Sequence, residues 1–104
     1  MPIVTTIEGR IAQVAIDRPE KRNTLSSELC KDLAREFLEL NDDTRVRSIV
    51  LCGHNNVFCA GLDIEEQLAE NTPIFNEFQK VIDALDALSK PVVAAVSGPA
   101  VSQG

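Results

Sequence analysis

Apolar residues occur in this chain with two different spacings, and the two spacings alternate along the sequence. The first two apolar segments, Ile3 to Ile7 and Ile11 to Ile16, are short and rich in β-branched residues, as strands are. Between them lies Glu8-Gly9-Arg10, whose glycine permits a tight turn, so the sequence predicts an antiparallel hairpin. The polar, proline-containing stretch from Asp17 to Asn23 is then predicted to be a loop.

The next segment has the spacing of a helix. Thr24 or Ser26 is placed to cap its N-terminus, and Glu28 suits a first helical turn. Steps of four, four and three separate the apolar residues that would share one face of an amphipathic helix: Leu29, Leu33, Phe37 and Leu40. Asn41-Asp42-Asp43 is predicted to end this helix.

The second half of the chain repeats the alternation. Ser48 to Cys52 is a short apolar run between polar residues, which is typical of a buried strand. A second helix is predicted to begin at Thr72-Pro73, a capping residue followed by proline, and to stop at Lys90-Pro91. Val92 to Val96 is predicted to be another buried strand. The apolar stripe of the second helix is Ile74, Phe78, Val81, Leu85 and Leu88. The order β-β-α-β-α-β predicts an α/β fold in which helices cover a sheet.

Composition and charge exclude several functions. The formal charge is −6, with ten basic residues scattered among sixteen acidic ones, which argues against a nucleic-acid surface. No apolar run approaches the roughly 20 residues that span a bilayer, so no membrane partner is expected. The N-terminal MPIVTTIEGR also lacks the basic-then-apolar layout of a secretory signal. We therefore expect a cytoplasmic protein whose three cysteines are reduced thiols.

Side-chain chemistry offers few candidates. Cys52, His54 and Cys59 lack the paired spacing of a metal site and an evident fourth ligand, and Cys52 is expected to face the core, so no metal is expected. A nucleophilic pair of His54 and Cys59 has no third group to orient it, and small buried cysteines are common. An acidic cluster is best interpreted as a solvated helix face: Glu65, Glu66 and Glu70.

The backbone offers a stronger candidate. Two apolar strands run into small-residue turns, at Phe58 to Asp63 and at Ser97 to Gly104. Such turns expose unpaired N–H groups at a helix N-terminus, where the helix dipole favours negative charge. Two of them converging would form an oxyanion hole, although tight glycine turns at strand ends are also common without any function.

Three blocks of sequence resemble the crotonase superfamily, the enoyl-CoA hydratase/isomerase family. The block DRPEKRNTL, Asp17 to Leu25, is similar to the family's RPEKRNAL loop. The block FCAGLDI, Phe58 to Ile64, is similar to FSAGxDI, and KPVVAAVSGPA, Lys90 to Ala100, is similar to KPVIAAVNGxA. The blocks occur in the family's order with fitting separations. The resemblance implies that residues 1–104 are the N-terminal part of a single domain with the crotonase-like (ββα spiral) fold.

The resemblance also implies a mechanism. Family members bind acyl-CoA thioesters with the thioester oxygen held by two backbone N–H groups, which stabilise an enolate. The first donor maps onto Ala60, where a small residue lets the thioester approach, and Gly61 lets the chain turn away. The second maps onto Gln103, although many hydratases have Gly-Gly-Gly where this chain has Ser102-Gln103-Gly104. The remaining substrate-binding positions of the second block are Phe58, Leu62, Asp63 and Ile64.

The first block is similar to the segment that borders the nucleotide end of CoA. Lys21 and Arg22 would there meet phosphates, although a solvated turn is the alternative interpretation. CoA enters as part of the substrate, so no separate cofactor is expected. By the same resemblance, the full-length form is expected to be a homotrimer or hexamer. The sequences Gly-Pro-Ala and Ala-Gly-Leu-Asp both favour a resemblance to enoyl-CoA isomerase-like members.

The acid/base groups are the main departure from the family pattern. In family hydratases these glutamates lie beyond the second oxyanion donor, and no residue of this chain takes that place. The resemblance therefore implies a glutamate shortly after Gly104 in the full reading frame. Separately, the chain stops after a strand, Val92 to Val96, whose second face needs another element to cover it, so we expect the chain to be cut rather than finished. The alternatives are a non-catalytic acyl-CoA-binding module and an inactive fragment.

Overall fold

The structure, a computed structural model, describes residues 3–54, 57–61, 74–100 and 104. Its secondary structure follows the predicted order β-β-α-β-α-β. A single 3₁₀ turn, Pro19–Lys21, lies in the predicted loop between the hairpin and the first helix. The strands and helices are β1 (Ile3–Glu8), β2 (Ile11–Ile16), α1 (Ser27–Asp42), β3 (Ser48–Gly53), α2 (Ile74–Asp86) and β4 (Val92–Ala95). The predicted α/β class is therefore confirmed.

The four strands form one sheet in the order β1-β2-β3-β4. β1 and β2 pair antiparallel through a turn in which Gly9 has a φ of +61°, which confirms the predicted hairpin. β2 pairs parallel with β3, and β3 pairs parallel with β4. Since parallel neighbours need a crossover, α1 and α2 connect these two pairs. The two helices contact each other and share one core with the inward residues of β2.

The apolar stripe predicted for α1 is the main helical contribution to the core. All four of its predicted residues, Leu29, Leu33, Phe37 and Leu40, are buried. Of the two capping candidates, the structure uses Ser26, whose Oγ accepts a hydrogen bond from the N–H of Leu29 at 3.1 Å. A cap of this kind stabilises a helix by about 1 kcal/mol, because it satisfies a backbone donor that the helix itself leaves unpaired.

Helix α2 packs on α1 through the predicted stripe from Phe78 onward, whereas the predicted side chain of Ile74 lies outside the described part of the chain. Val81 is buried, and Phe78, Leu85 and Leu88 are partly buried against the core. The helix ends at Asp86, ahead of the predicted stop at Lys90-Pro91, because its last turn closes with a short-range bond from the N–H of Leu88 to the carbonyl of Leu85. The predicted start at Thr72-Pro73 lies outside the described residues. Neither described helix is long and apolar enough to cross a membrane.

The segment that follows α2 also completes α1. The Lys90 Nζ donates to the carbonyl oxygens of Leu40 and Asp43, both at 2.6 Å. Beside it, the backbone N–H and the hydroxyl of Ser89 both donate to Asn41 Oδ1 at 3.0 Å. The last carbonyls of a helix have no partner within the helix, and a cation there also meets the negative end of the helix dipole. Lys90 therefore joins the two helices at their C-terminal ends.

The prediction of a buried strand at Val92 to Val96 is wrong for β4 in this structure. β4 ends at Ala95, and all of its residues are exposed, with Val93 reaching 59%. The reason is its place at one edge of the sheet, where none of the described elements packs over it. β3 is likewise only half-buried except at Ile49. The expectation that a further element covers this strand stays a prediction.

We predict that Lys90→Met lowers the free energy of unfolding by about 1.5 to 3 kcal/mol, since two carbonyls lose a charged donor. The control is Lys31→Met on the exposed face of α1. A surface change of that kind stays within about 0.5 kcal/mol. Urea unfolding of both variants measures the difference, and equal losses would contradict the role assigned to Lys90.

Candidate functional site

The turn after β3 has the shape that the sequence predicted. Phe58 and Cys59 are buried, whereas Ala60 is only half-buried. Gly61 has a φ of +100°, a backbone conformation that residues with a Cβ rarely adopt. The chain therefore changes direction at Gly61 and leaves the Ala60 backbone at the surface of the turn.

Between the buried Cys59 and the turning Gly61, the N–H of Ala60 is an available donor. The N–H groups of Phe58 and Cys59 both donate to the Pro99 carbonyl, at 3.0 and 3.2 Å. The N–H of Gly61 points to Cys59 Sγ at 3.5 Å, a weak contact. Among the residues described, Ala60 N–H makes no hydrogen bond. A half-buried donor without a partner is suited to a ligand oxygen.

The second predicted turn lies against the first. Cys59 and Ala100 form an isolated parallel bridge, and Pro99 supplies the carbonyl just described. A Cβ at Gly104 would collide with the Cys59 carbonyl, so the two backbones pack at close range. The structure thus brings together the segments that carry the two predicted donors. The other predicted positions lie outside the described residues: Gln103, Leu62, Asp63, Ile64, and the acidic Glu65, Glu66 and Glu70.

Lys21 and Arg22 lie on a tightly folded loop with exposed side chains. The N–H of Lys21 donates to the Arg18 carbonyl, and that of Arg22 to the Pro19 carbonyl, both at 3.1 Å. Arg22 and Asn23 have φ values of 53° and 58°, so two successive residues are left-handed. The loop therefore presents its basic pair from a defined backbone in an otherwise acidic chain.

Asn23 is the residue that sequence reasoning missed. Its side chain is fully buried. Its Oδ1 accepts from the N–H of Arg18 at 2.7 Å, and its Nδ2 donates to the carbonyls of Val57 at 2.8 Å and His54 at 3.2 Å. The available signal was the residue type, because asparagine tolerates left-handed backbone and carries both donors and an acceptor. Nothing local in the sequence indicated its long-range partners.

The cysteines behave differently from one another. Burial raises the pKa of the Cys59 thiol, and a weak contact with Gly61 lowers it only in part, so Cys59 stays a neutral thiol near pH 7.

His54 is exposed. Cys52 does not face the core as expected: it is half-buried, on the sheet face opposite Ile49, and it accepts from Gln13 Nε2 at 3.2 Å. The described part of the chain contains no group of three potential metal ligands.

A small cavity lies beneath the turn, between the two helices and the sheet. Its volume is about 100 Å³. Its walls are apolar apart from the Cys59 thiol, and they are formed by Ile16, Leu25, Leu33, Phe37, Leu51, Phe58, Cys59, Phe78, Val81, Ile82, Leu85 and Gly104. The described residues of its wall therefore supply neither an acid nor a base to the turn above it.

Comparison with known proteins gives consistent results. The family model described as enoyl-CoA hydratase/isomerase matches residues 6–104. A short-chain-enoyl-CoA hydratase of Clostridium acetobutylicum is 36% identical over 107 residues, covering 98% of this chain and 41% of that protein. An enoyl-CoA hydratase of Alternaria alternata is 39% identical over 93 residues, covering 88% of this chain and 31% of that protein. The chain thus spans less than half the length of these relatives.

Solved structures resemble the fold closely. The structure of OdaA from Pseudomonas aeruginosa superimposes with a TM-score of 0.90 at 32% identity, over 99% of this chain and 42% of that one. An enoyl-CoA hydratase from Bacillus anthracis has a TM-score of 0.87 at 22% identity, over 94% of this chain and 40% of that one. The likeness at the lower identity concerns the fold alone. The predicted crotonase-like fold is confirmed by these neighbours.

We predict that Gly53→Ala lowers the free energy of unfolding more than Gly9→Ala, the corresponding change in the hairpin. A Cβ at Gly53 would collide with the carbonyls of Val57 and Phe58 and lie 2.9 Å from Asn23 Nδ2, so backbone must move, at a cost of about 1 to 3 kcal/mol.

Gly9→Ala is the matched control, because a Cβ there meets nothing and only the positive φ opposes it, costing about 1 kcal/mol. Urea unfolding compares the two variants. A larger loss for Gly9→Ala would show that the close approach at Gly53 is not a real constraint.

Proposed function

Because the chain belongs to the enoyl-CoA hydratase/isomerase family, we propose that its turn at Ala60 binds the thioester carbonyl of an enoyl-CoA that the enzyme hydrates or isomerises. The observation that carries this proposal is the half-buried Ala60 N–H, which makes no hydrogen bond within the described residues and lies next to the segment leading to Gln103. Gln103 N–H is assigned the second donor position. The acyl-CoA is the substrate, and no separate cofactor is required.

The chemistry follows from where charge develops. Addition of water puts hydroxide on the β carbon and a proton on the α carbon, whereas isomerisation removes a proton from one carbon and returns it to another. Both routes pass negative charge to the thioester oxygen as an enolate forms. A preorganised N–H donor stabilises that charge without having to reorient, and removing one such donor typically costs about 100- to 1,000-fold in kcat.

The basic loop supplies the other end of the proposed site. Lys21 and Arg22 would donate hydrogen bonds to the CoA phosphates. Hydrogen bonds between charged groups are stronger than those between neutral groups. The exposure of both side chains is compatible with a large anionic ligand. Such a local pair also counters the repulsion that a chain of net charge −6 would otherwise exert on phosphates.

The second candidate function is acyl-CoA binding without turnover. It is favoured by the absence of any carboxylate from the described residues of the two turns, 57–61 and 97–100 with 104. An oxyanion hole polarises a thioester, but the proton transfers of hydration need a positioned acid and base. Both functions use the same carbonyl-binding turn, and turnover of crotonyl-CoA separates them.

We predict that an arylacryloyl-CoA absorbs at longer wavelength when bound to the protein expressed from its full reading frame, because hydrogen bonds to the carbonyl draw charge through the conjugated group. Replacing the Ala60 amide by an ester removes the N–H and keeps the side chain, although the Cys59 carbonyl also becomes a weaker acceptor. This change should reduce the wavelength shift of the bound ligand and lower kcat/KM for crotonyl-CoA by about 100-fold or more.

The ester at Gly61 is the matched control, because that N–H makes only a weak contact with sulfur. An ester at Leu62, the next amide along the chain, tests the assignment further. If the Leu62 ester abolishes the shift and the Ala60 ester leaves it unchanged, the donor is not Ala60.

We further predict that the double variant Lys21→Gln with Arg22→Gln binds arylacryloyl-CoA about tenfold more weakly, equivalent to about 1.4 kcal/mol. Its affinity for the corresponding pantetheine thioester, which lacks the nucleotide phosphates, should not change. Lys31→Gln with Arg35→Gln removes the same charge from the outer face of α1 and serves as the control. Equal weakening by both double variants would assign the effect to net charge alone.

A further inference from the structure

Two residues that follow Lys21 and Arg22 in the basic loop, Asn23 and Leu25, are hydrogen-bonded to the carbonyl-binding turn. One bond lies on each side of Ala60. Ahead of Ala60, the Nδ2 of Asn23 donates to the Val57 carbonyl at 2.8 Å. Behind Ala60, the N–H of Leu25 donates to the Gly61 carbonyl at 2.7 Å. Asn23 directly follows Arg22 in the sequence, so displacement of the basic pair is transmitted to the turn through very few bonds.

The Asn23 amide has little freedom to rearrange. Its side chain is fully buried, and its oxygen and nitrogen together make three hydrogen bonds, to Arg18, Val57 and His54. Its own N–H donates to the Arg18 carbonyl at 2.9 Å. The lack of a Cβ at Gly53 is what leaves room for Nδ2 beside the Val57 carbonyl. Since both polar atoms of the side chain are hydrogen-bonded and the surroundings are tightly packed, rotating the amide would leave buried groups unpaired.

We propose that Asn23 is a positioning residue that couples the two ends of the substrate site, so that phosphates bound at Lys21 and Arg22 fix the turn at Ala60 and strengthen polarisation of the thioester. This inference rests on the proposed function. Binding energy from a remote part of a substrate is useful to catalysis when it orients the reacting group. Coupling of this kind is reciprocal, so a well-bound carbonyl also favours the phosphate-binding form of the loop.

A purely structural role for Asn23 makes a different prediction. Loss of a buried amide would then reduce the fraction of folded protein and leave each folded molecule with the same carbonyl site. The wavelength shift per bound ligand, measured at saturation, does not depend on how much protein is folded. It therefore separates positioning from stability.

The first measurement needs no variant. In the protein expressed from its full reading frame, arylacryloyl-CoA and arylacryloyl-pantetheine are each bound to saturation and their absorption shifts compared. We expect the CoA thioester to show the larger shift. Equal shifts would overturn the coupling and leave the proposed function standing, whereas no shift with either ligand would overturn the proposed function and this inference with it.

Two substitutions then test Asn23 itself. Asn23→Gly keeps a residue that accepts the positive φ but removes the amide, and Asn23→Asp keeps the acceptor for Arg18 but cannot donate to Val57. In either variant we expect the CoA thioester and the pantetheine thioester to show the same absorption shift. Asn41→Gly, in the last turn of α1, is the control that lowers stability away from the site, and it should retain the difference.

The result that would overturn the proposal is a folded Asn23 variant, verified by circular dichroism, in which the CoA thioester still shifts more than the pantetheine thioester by the wild-type amount. The wild-type ligand comparison stands whether or not the variants fold. The coupling is therefore tested by the wild-type comparison even if neither variant folds.

Discussion

The parallel pairing of β3 with β4 determines where the candidate site lies. Parallel neighbours end at the same edge of a sheet, so the segments that leave them meet there. In this chain the pairing extends past both strands to the Cys59–Ala100 bridge, and the Pro99 carbonyl receives the N–H groups of Phe58 and Cys59. Those bonds consume two donors of the turn and leave that of Ala60 available. Everything proposed about thioester binding depends on this juxtaposition.

The site is built largely from backbone, which explains why it is weakly marked in the sequence. A carbonyl-binding amide requires a residue small enough to let the ligand approach and a following residue that can turn, and many residue pairs meet those requirements. The side chains considered lie away from the Ala60 amide. Asn23 connects the basic loop to the carbonyl-binding turn by a hydrogen bond, and Lys21 and Arg22 carry positive charge.

Much of the fold could be predicted from the sequence because it is encoded locally. The hairpin follows from two β-branched runs around Gly9 and α1 from the stripe ending at Leu40, whereas the choice of Ser26 over Thr24 as the cap came only from the structure. What could not be predicted depends on partners distant in sequence. The burial of Asn23 is set by the His54 to Val57 segment, and Lys90 finds its acceptors on α1. The exposure of β4 likewise depends on which elements pack over the sheet rather than on its valines. The roles of Ala60 and Gln103 stay predictions.

The most direct measurement is a crystal structure of the protein, expressed from its full reading frame, with a bound acyl-CoA that does not turn over. We predict that the thioester oxygen lies about 2.7 to 3.2 Å from the Ala60 nitrogen, within hydrogen-bond range, and that the nucleotide phosphates lie beside Lys21 and Arg22. A thioester oxygen that contacts solvent or another part of the chain, with the Ala60 N–H still without a ligand, would contradict it.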